Sequence, residues 1–235
     1  MEADRHFGED VLLEVPLVRF FTWDKPSISF GCNQNPQKRL DLALCRDDGI
    51  PVVRRPTGGR ELMHGHDICY CVTMPVSSGI SGISAKVNFG EVNDVLVLGL
   101  KKLGIAAEWS NFAKRPKTTF GPCFAQIDSG EIVVDGRKLV ASAQRVYPRS
   151  IIQQGSIPLD VPEIELLKYL RLGDKLLVAR RTGEMTAYLK DHLDGTTKVA
   201  SIVDVFREAF EENFGRCSRS VGGVYDDFRK EYFAK

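Results

Sequence analysis

Three apolar runs stand close together in the middle of the chain, Glu131 to Val134, Leu139 to Val146 and Ile151 to Leu159. What separates them decides how they fold. Asp135-Gly136 divides the first two and Tyr147-Pro148-Arg149 the second pair. An Asp-Gly pair between strand-like segments favours a tight two-residue hairpin, because both of its residues accept positive φ. The three runs therefore predict an antiparallel meander.

Other strands are expected at Leu17 to Trp23, beyond Pro16, and at Ser27 to Phe30, after the Lys25-Pro26 turn. Ile50 to Arg55, Asp67 to Pro75 and Ile105 to Trp109 complete the set, with Asp67 to Pro75 a central strand. Helices are predicted at Gln37 to Arg46 and at Asn88 to Leu103, where Val92, Val95, Leu96, Gly99 and Leu103 recur at helical spacing and Gly104 gives the stop. Two more follow, from Pro162 to Leu172 and from Ser201 to Phe214, the latter capped in Ser-x-x-Asp fashion by Asp204. Ser77 to Ser84 reads as a flexible loop and Lys175 to Asp194 as basic and irregular. Without regular βαβ alternation the fold class is α+β, with mixed and antiparallel β-sheets and flanking helices. No internal repeat or low-complexity linker divides residues 1–235, so one catalytic-sized domain is expected.

A net charge of +1 with 27% charged residues gives no general attraction to nucleic acid or to a membrane surface. No apolar run approaches the roughly 18 residues of a membrane span, and Met1 to Asp10 lacks the core of a signal peptide. A cytoplasmic location is the expectation. Six cysteines without a C-x-x-C pair should then be free thiols.

Chemistry concentrates in two places. Val53 to Cys71 carries Arg54, Arg55 and Arg60 around Thr57, Gly58 and Gly59, followed by His64. It reads as strand, glycine turn, strand, with cations and bare amides at one lip, suited to an anionic or carbonyl-bearing ligand or, equally, as a solvated hairpin end. Further on, Gly121-Pro122-Cys123-Phe124 leaves a basic loop just before the Asp135-Gly136-Arg137-Lys138 hairpin. If the hairpin brings the Lys138 ammonium to the Cys123 sulfur, it stabilises the thiolate, which is the nucleophile; otherwise Cys123 is an ordinary buried thiol. His64-x-His66-x-x-Cys69-x-Cys71 offers zinc ligands, but on one continuous strand the two histidines would face away from the two cysteines, so no metal is expected.

As a set, Arg54-Arg55-Pro56-Thr57-Gly58-Gly59-Arg60 with His64, Pro122-Cys123-Phe124, Asp135 to Gln144 and Gln154-Gly155-Ser156 resembles the lipoate-protein ligase and octanoyltransferase family, of the biotin/lipoate protein ligase catalytic-domain superfamily. The resemblance spans about Arg19 to Leu159, and Met1-x-x-Asp4 matches a shortened first helix. Cysteine before phenylalanine in this loop looks like the octanoyltransferase branch with a Cys nucleophile, and the Asn-Asp element of ATP-using ligases is missing there.

The resemblance implies an octanoyl-[acyl carrier protein]:protein N-octanoyltransferase of lipoate biosynthesis. Cys123 would take octanoyl from acyl carrier protein as a thioester and pass it to a lysine of a lipoyl domain or of a glycine-cleavage H-type carrier protein, without ATP. Lys138 would hold the thiolate, and Arg54, Arg55, Thr57, Gly58, Gly59, Arg60, His64, Ala141 and Ser142 would form the acyl site. Amides near Gly58-Gly59 or Ala141-Ser142 would serve as oxyanion donors, and Lys114, Arg115 and Lys117 would meet acidic carrier proteins. Ala141 departs from the family's usual glycine, and His66-Asp67 is an unusual sequel to His64. The rivals are a Mg-ATP-dependent lipoate or octanoate ligase, an amidotransferase between carrier domains, and a non-enzymatic acyl-binding module.

Overall fold

The computed structural model describes residues 1–76, 85–110, 121–128, 130–173 and 175–215. The expected loop at Ser77 to Ser84, the cations Lys114, Arg115 and Lys117, and Cys217 lie outside them. Nine strands and six α-helices are present among the described residues. The strands are β1 (Leu17–Phe21), β2 (Ser27–Phe30), β3 (Val52–Arg54), β4 (Leu62–His64), β5 (Asp67–Pro75), β6 (Glu108–Trp109), β7 (Ile132–Val134), β8 (Arg137–Val146) and β9 (Ser150–Pro158). The helices are α1 (Glu2–Glu9), α2 (Pro36–Arg39), α3 (Leu42–Asp47), α4 (Ala85–Lys102), α5 (Lys175–Met185) and α6 (Val199–Phe214).

The meander forms as expected. Asp135 and Gly136 both take positive φ, 50° and 71°, and join β7 to β8. β9 then pairs antiparallel with β8 on one side and β5 on the other, within a six-stranded sheet ordered β1-β5-β9-β8-β7-β6. Side chains alternate across it. Ile68, Tyr70, Val72 and Ile157 face the core built with Val92, Leu96 and Leu100 of α4 and Phe206 and Phe210 of α6. Gly99 lets the two helices close, since a Cβ there would fall 2.5 Å from the Phe206 ring. Cys69, Gln154 and Ser156, on the opposite parity, look toward the site described below.

One irregularity aims a functional side chain. Ile132 faces Val140 while Val133 faces Lys138, so Leu139 is an extra residue. Leu139 and Val140 consequently both enter the core, and Lys138 turns to the other side.

The second sheet has three strands, ordered β3-β2-β4, with β2 parallel to β3 and antiparallel to β4. This corrects the picture of the glycine stretch as a hairpin. β3 and β4 do not pair; residues 55–61 cross over the end of β2, and a Cβ on Gly31 would lie 2.3 Å from the Gly59 carbonyl.

Four expectations about helices are also revised. Gln37 to Arg46 is two helices, because Leu40 is extended and bridges Leu170, and Asp41 starts afresh by capping the Leu44 amide at 3.1 Å. Pro162 to Leu172 holds only a 3-10 turn at Leu166–Lys168, since its backbone bonds instead to residues 39 and 41; its leucines still pack on the small sheet's core. Lys175 to Met185 is a helix despite its basic character and Gly183, fixed by the fully buried Val178. α6 begins at Val199, so Ser201 lies inside it and Lys198 takes the cap position without a side-chain bond. No helix among the described residues is long and apolar enough to cross a membrane.

Candidate active site

A small cavity, partly open to solvent, lies where the two sheets meet. Phe21, Leu62, Tyr70 and Ala141 give it apolar walls; Ser29, Arg55, Gly59, His64, Cys69, Cys123, Ser142 and Gln154 supply polar atoms. A mainly apolar lining with a few convergent polar groups is the usual character of a small-molecule site.

Cys123 opens a 3-10 turn, Cys123–Ala125, and is half-buried. The turn is gripped at several points. The Cys123 amide donates to the Glu61 carbonyl at 3.2 Å, and Lys138 Nζ donates to the Cys123 carbonyl at 2.8 Å. Arg60 donates to the Gly121 carbonyl and to Gln126 Oε1, both at 3.2 Å. Gly121 has φ 85° and no room for a Cβ, which would sit 2.8 Å from that of Ala125; Val178 of α5 packs beside it.

Lys138 is 1% exposed, and its ammonium lies 2.7 Å from the Glu131 carboxylate. Burial raises the Glu131 pKa, and the neighbouring Lys138 charge works against that rise. Lys138 thus reaches residue 123 through its carbonyl, and it does not line the cavity.

Arg55 does line it, and the sequence had placed it at the lip. The guanidinium is turned inward, 5% exposed, and donates from Nη1 to Ser29 Oγ at 2.9 Å, from Nε and Nη2 to the Gly58 carbonyl, and from Nη2 to the Arg60 carbonyl at 2.7 Å. Ser29 Oγ lies 2.7 Å from His64 Nε2, and His64 Nδ1 lies 2.7 Å from Asp67 Oδ2. Arg55 can only donate and Asp67 only accept, which orients the neutral chain: His64 Nδ1–H donates to Asp67, and Nε2 accepts from the Ser29 hydroxyl. Trp23 stacks on His64 with ring centroids 4.6 Å apart. Asp67 also accepts from Ser156 Oγ at 2.6 Å and from Cys69 Sγ at 3.2 Å. Burial alone would raise its pKa, but the charge His64 carries when protonated and these hydrogen bonds bring it down to about 2.

The remaining expected residues divide. Thr57 is buried and donates to Gln154 Oε1 at 2.8 Å, tying the crossover to β9; Ala141 and Ser142 line the cavity, with Ser142 Oγ 2.7 Å from Tyr70 Oη. Tyr70 can lie there because Gly155, beside it in the sheet, has no side chain. Gly58 serves through its carbonyl, and Gly59, at φ 92°, exposes backbone to the cavity. Arg54 is exposed and outside it, its guanidinium 4.4 Å from the Phe30 ring centre and bonded to the Cys32 and Gln34 carbonyls.

His64, Asp67 and Cys69 bring one ligand atom each within 4.8 Å of one another. The parity argument missed this cluster because the chain breaks at Gly65-His66, so His64 and Cys69 stand on different strands. Its atoms already bond to one another, with His64 and Asp67 at 2.7 Å.

Across residues 2–211 the chain matches the family described as the lipoyl protein ligase A/B catalytic domain. It belongs to that family. The match continues past Leu159, where the motif resemblance stops. Octanoyltransferase LipM of Carboxydothermus hydrogenoformans is 30% identical over 202 residues, covering 85% of this chain and 75% of that protein. LipM of Kyrpidia tusciae is 32% identical over 213 residues, covering 85% and 76%. Among solved structures, the bipartite lipoate protein ligase of Thermoplasma acidophilum superposes with a TM-score of 0.74 at 18% identity, over 94% of this chain and 80% of that one. Lipoate-protein ligase A bound with ATP gives 0.71 at 18%, over 94% and 82%. These structures establish the family's fold for this chain.

Proposed function

We propose that this family member is an octanoyltransferase working through a thioester on Cys123. The chain is an acyltransferase, and the octanoyl specificity follows the LipM relatives. The observation that carries the reading is Cys123 itself: a half-buried thiol on the wall of a largely apolar cavity, on a turn held at both its amide and its carbonyl. Such fixation holds a nucleophile in an attacking position.

The Cys123 thiolate attacks the carbonyl of octanoyl thioester on acyl carrier protein; the new C–S bond forms as the carrier's C–S bond breaks, and the carrier leaves as thiolate. One thioester replaces another, so no ATP is consumed. The neutral ε-amine of a lysine on a lipoyl domain, or on a glycine-cleavage H-type carrier, then attacks the acyl-enzyme. Cys123 leaves as thiolate, the nitrogen passes its extra proton to solvent, and an amide remains. Amides of Gly59 and of Ala141-Ser142 are candidate donors to the oxyanion of each tetrahedral intermediate. Lys138 acts on the turn through the Cys123 carbonyl, and His64 and Ala141 shape the space for the chain.

The test is intact mass after mixing with octanoyl acyl carrier protein, without nucleotide, for wild type and Cys123→Ala. The expected result is a hydroxylamine-sensitive octanoyl adduct on wild type alone, which passes to an apo lipoyl domain. Modification that needs free acid with Mg-ATP and survives Cys123→Ala would identify a ligase instead. An adduct donated by an acylated carrier domain and refused from acyl carrier protein would identify an amidotransferase.

A further inference from the structure

The helix that seats the Cys123 turn, α5, spends little of its surface on the core. Val178, beside Gly121, is the only residue of the helix that is buried, and past its end the Ala187 amide ties the chain to β8 by donating to the Lys138 carbonyl at 2.9 Å. At 3.6 residues per turn, Leu176 and Arg180 stand on the side opposite Val178, with Leu177 and Arg181 next to them. Leu176 is 84% exposed, the most exposed large apolar side chain among the described residues, and Leu177 is 43% exposed. Lys175, Arg180 and Arg181 face a single acid on the helix, Glu184, which pairs with Arg180 at 2.7 Å. Lys175 donates to the Lys168 carbonyl at 3.2 Å, and no carboxylate among the described residues bonds to Lys175 or Arg181. Two adjacent exposed leucines framed by cations suit a partner that is acidic with an apolar spot of its own.

We propose that the outer face of α5, with Leu176 between Lys175 and Arg181, is where the acyl donor docks: an acidic carrier domain that holds its thioester on a long flexible arm. The proposal rests on the reading of Cys123 as the residue acylated from a carrier. The cations first expected to meet such a domain, Lys114, Arg115 and Lys117, lie outside the described residues, and α5 supplies a set whose place relative to the thiol is known. Reach selects the donor over the lysine-bearing acceptor. The helix stands between its outer face and the turn, and a helix with its side chains is about 10–12 Å across. A lysine must bring its own nitrogen to the acyl-enzyme, and its side chain is shorter than that. A carrier's prosthetic arm is longer, so its domain can rest on α5 while the thioester passes around the helix to Cys123. The unmatched charges steer an acidic domain to the side of the molecule that holds the nucleophile, and Leu176 supplies apolar contact once it arrives.

The test separates docking from chemistry. Acylation of Cys123 is followed by intact mass with two donors, octanoyl acyl carrier protein and the small thioester octanoyl-N-acetylcysteamine. The proteins are wild type, Lys175→Glu/Arg181→Glu, Leu176→Asn and, as a control on α6, Arg207→Glu. All four positions are exposed, and a glutamate in the first turn of α5 suits the helix dipole, so the variants are expected to fold. The charge reversal is expected to lower kcat/KM for the carrier about thirtyfold, through KM and with a weaker dependence on salt, and Leu176→Asn about fivefold. The small donor reacts with every variant at the wild-type rate. A carrier rate unmoved by the charge reversal, an equal loss with the small donor, or the same loss in Arg207→Glu overturns the proposal. So does a deficit confined to transfer from preformed acyl-enzyme to a lipoyl domain, which would seat the acceptor on α5 instead. If neither donor acylates Cys123 in wild type, the transfer reading falls and docking is read by itself. Titration of Cys123→Ala with octanoyl acyl carrier protein, followed by fluorescence anisotropy, then shows affinity about thirtyfold weaker in the charge reversal, and equal affinity overturns the site.

Discussion

Arg55, which lines the cavity with Cys123, and Lys138, which bonds to the Cys123 turn, are both nearly inaccessible cations, 5% and 1% exposed, yet they sit in opposite electrical settings. Lys138 touches a carboxylate and the Cys123 carbonyl; Arg55 touches a hydroxyl and two peptide carbonyls. The contrast teaches that two cations buried to a similar degree can differ in how their charge is matched. What counts is the charge left after the cation's own contacts are satisfied. A lysine matched by glutamate fixes geometry, and an arginine matched by neutral oxygens still projects a field.

The comparison can be broken or sharpened by substitution. Cys123→Ala, which removes the proposed acyl carrier, is expected to lower octanoyl transfer by about a thousandfold or more in a steady-state assay with a lipoyl domain. Lys138→Met leaves the Glu131 carboxylate buried and unmatched, so urea denaturation should show a loss of about 3–5 kcal/mol, most of it recovered by adding Glu131→Leu. Failure of the second change to recover stability would mean that the ammonium's bond to the turn, rather than its ion pair, is the structural term.

Asp67 anchors the Arg55 side and gives a pH signature. Its folded pKa is held down to about 2, against an ordinary value of 3.8, so its contribution is complete above about pH 4 and lost as pH falls toward 2. The loss should reach about 2 kcal/mol, and Asp67→Asn should flatten that acid limb in denaturation series. The smallest effect belongs to Ser29→Ala, about 1 kcal/mol, since Arg55 keeps its two carbonyls; a much larger loss would make the serine a principal support.

Those parts of the fold that rest on local signals could be read from sequence. Asp135-Gly136 specifies its own turn, and β2 and β5 appear with the bounds their apolar residues predict. What escaped is non-local. Leu40 is extended because Leu170 lies beside it, and α5 forms because Val178 finds a place against Gly121. The site divides in the same way. Cys123, Arg55, Gly59, His64, Ala141 and Ser142 converge on one cavity, but the single-residue bulge at Leu139 that directs Lys138 has no signal in the residues. Ser29 carried a faint one: a hydroxyl between Ile28 and Phe30 in a strand that proves wholly buried.

The contact between α5 and the Cys123 turn has a consequence in time. Val178 packs beside Gly121 from a position over fifty residues later in the chain, so the turn cannot settle until that helix has left the ribosome. At about 5–20 residues per second, several seconds pass in which the thiol is made but its seat is not. The cavity wall that Cys123 forms is therefore completed from a part of the chain made well after the thiol itself.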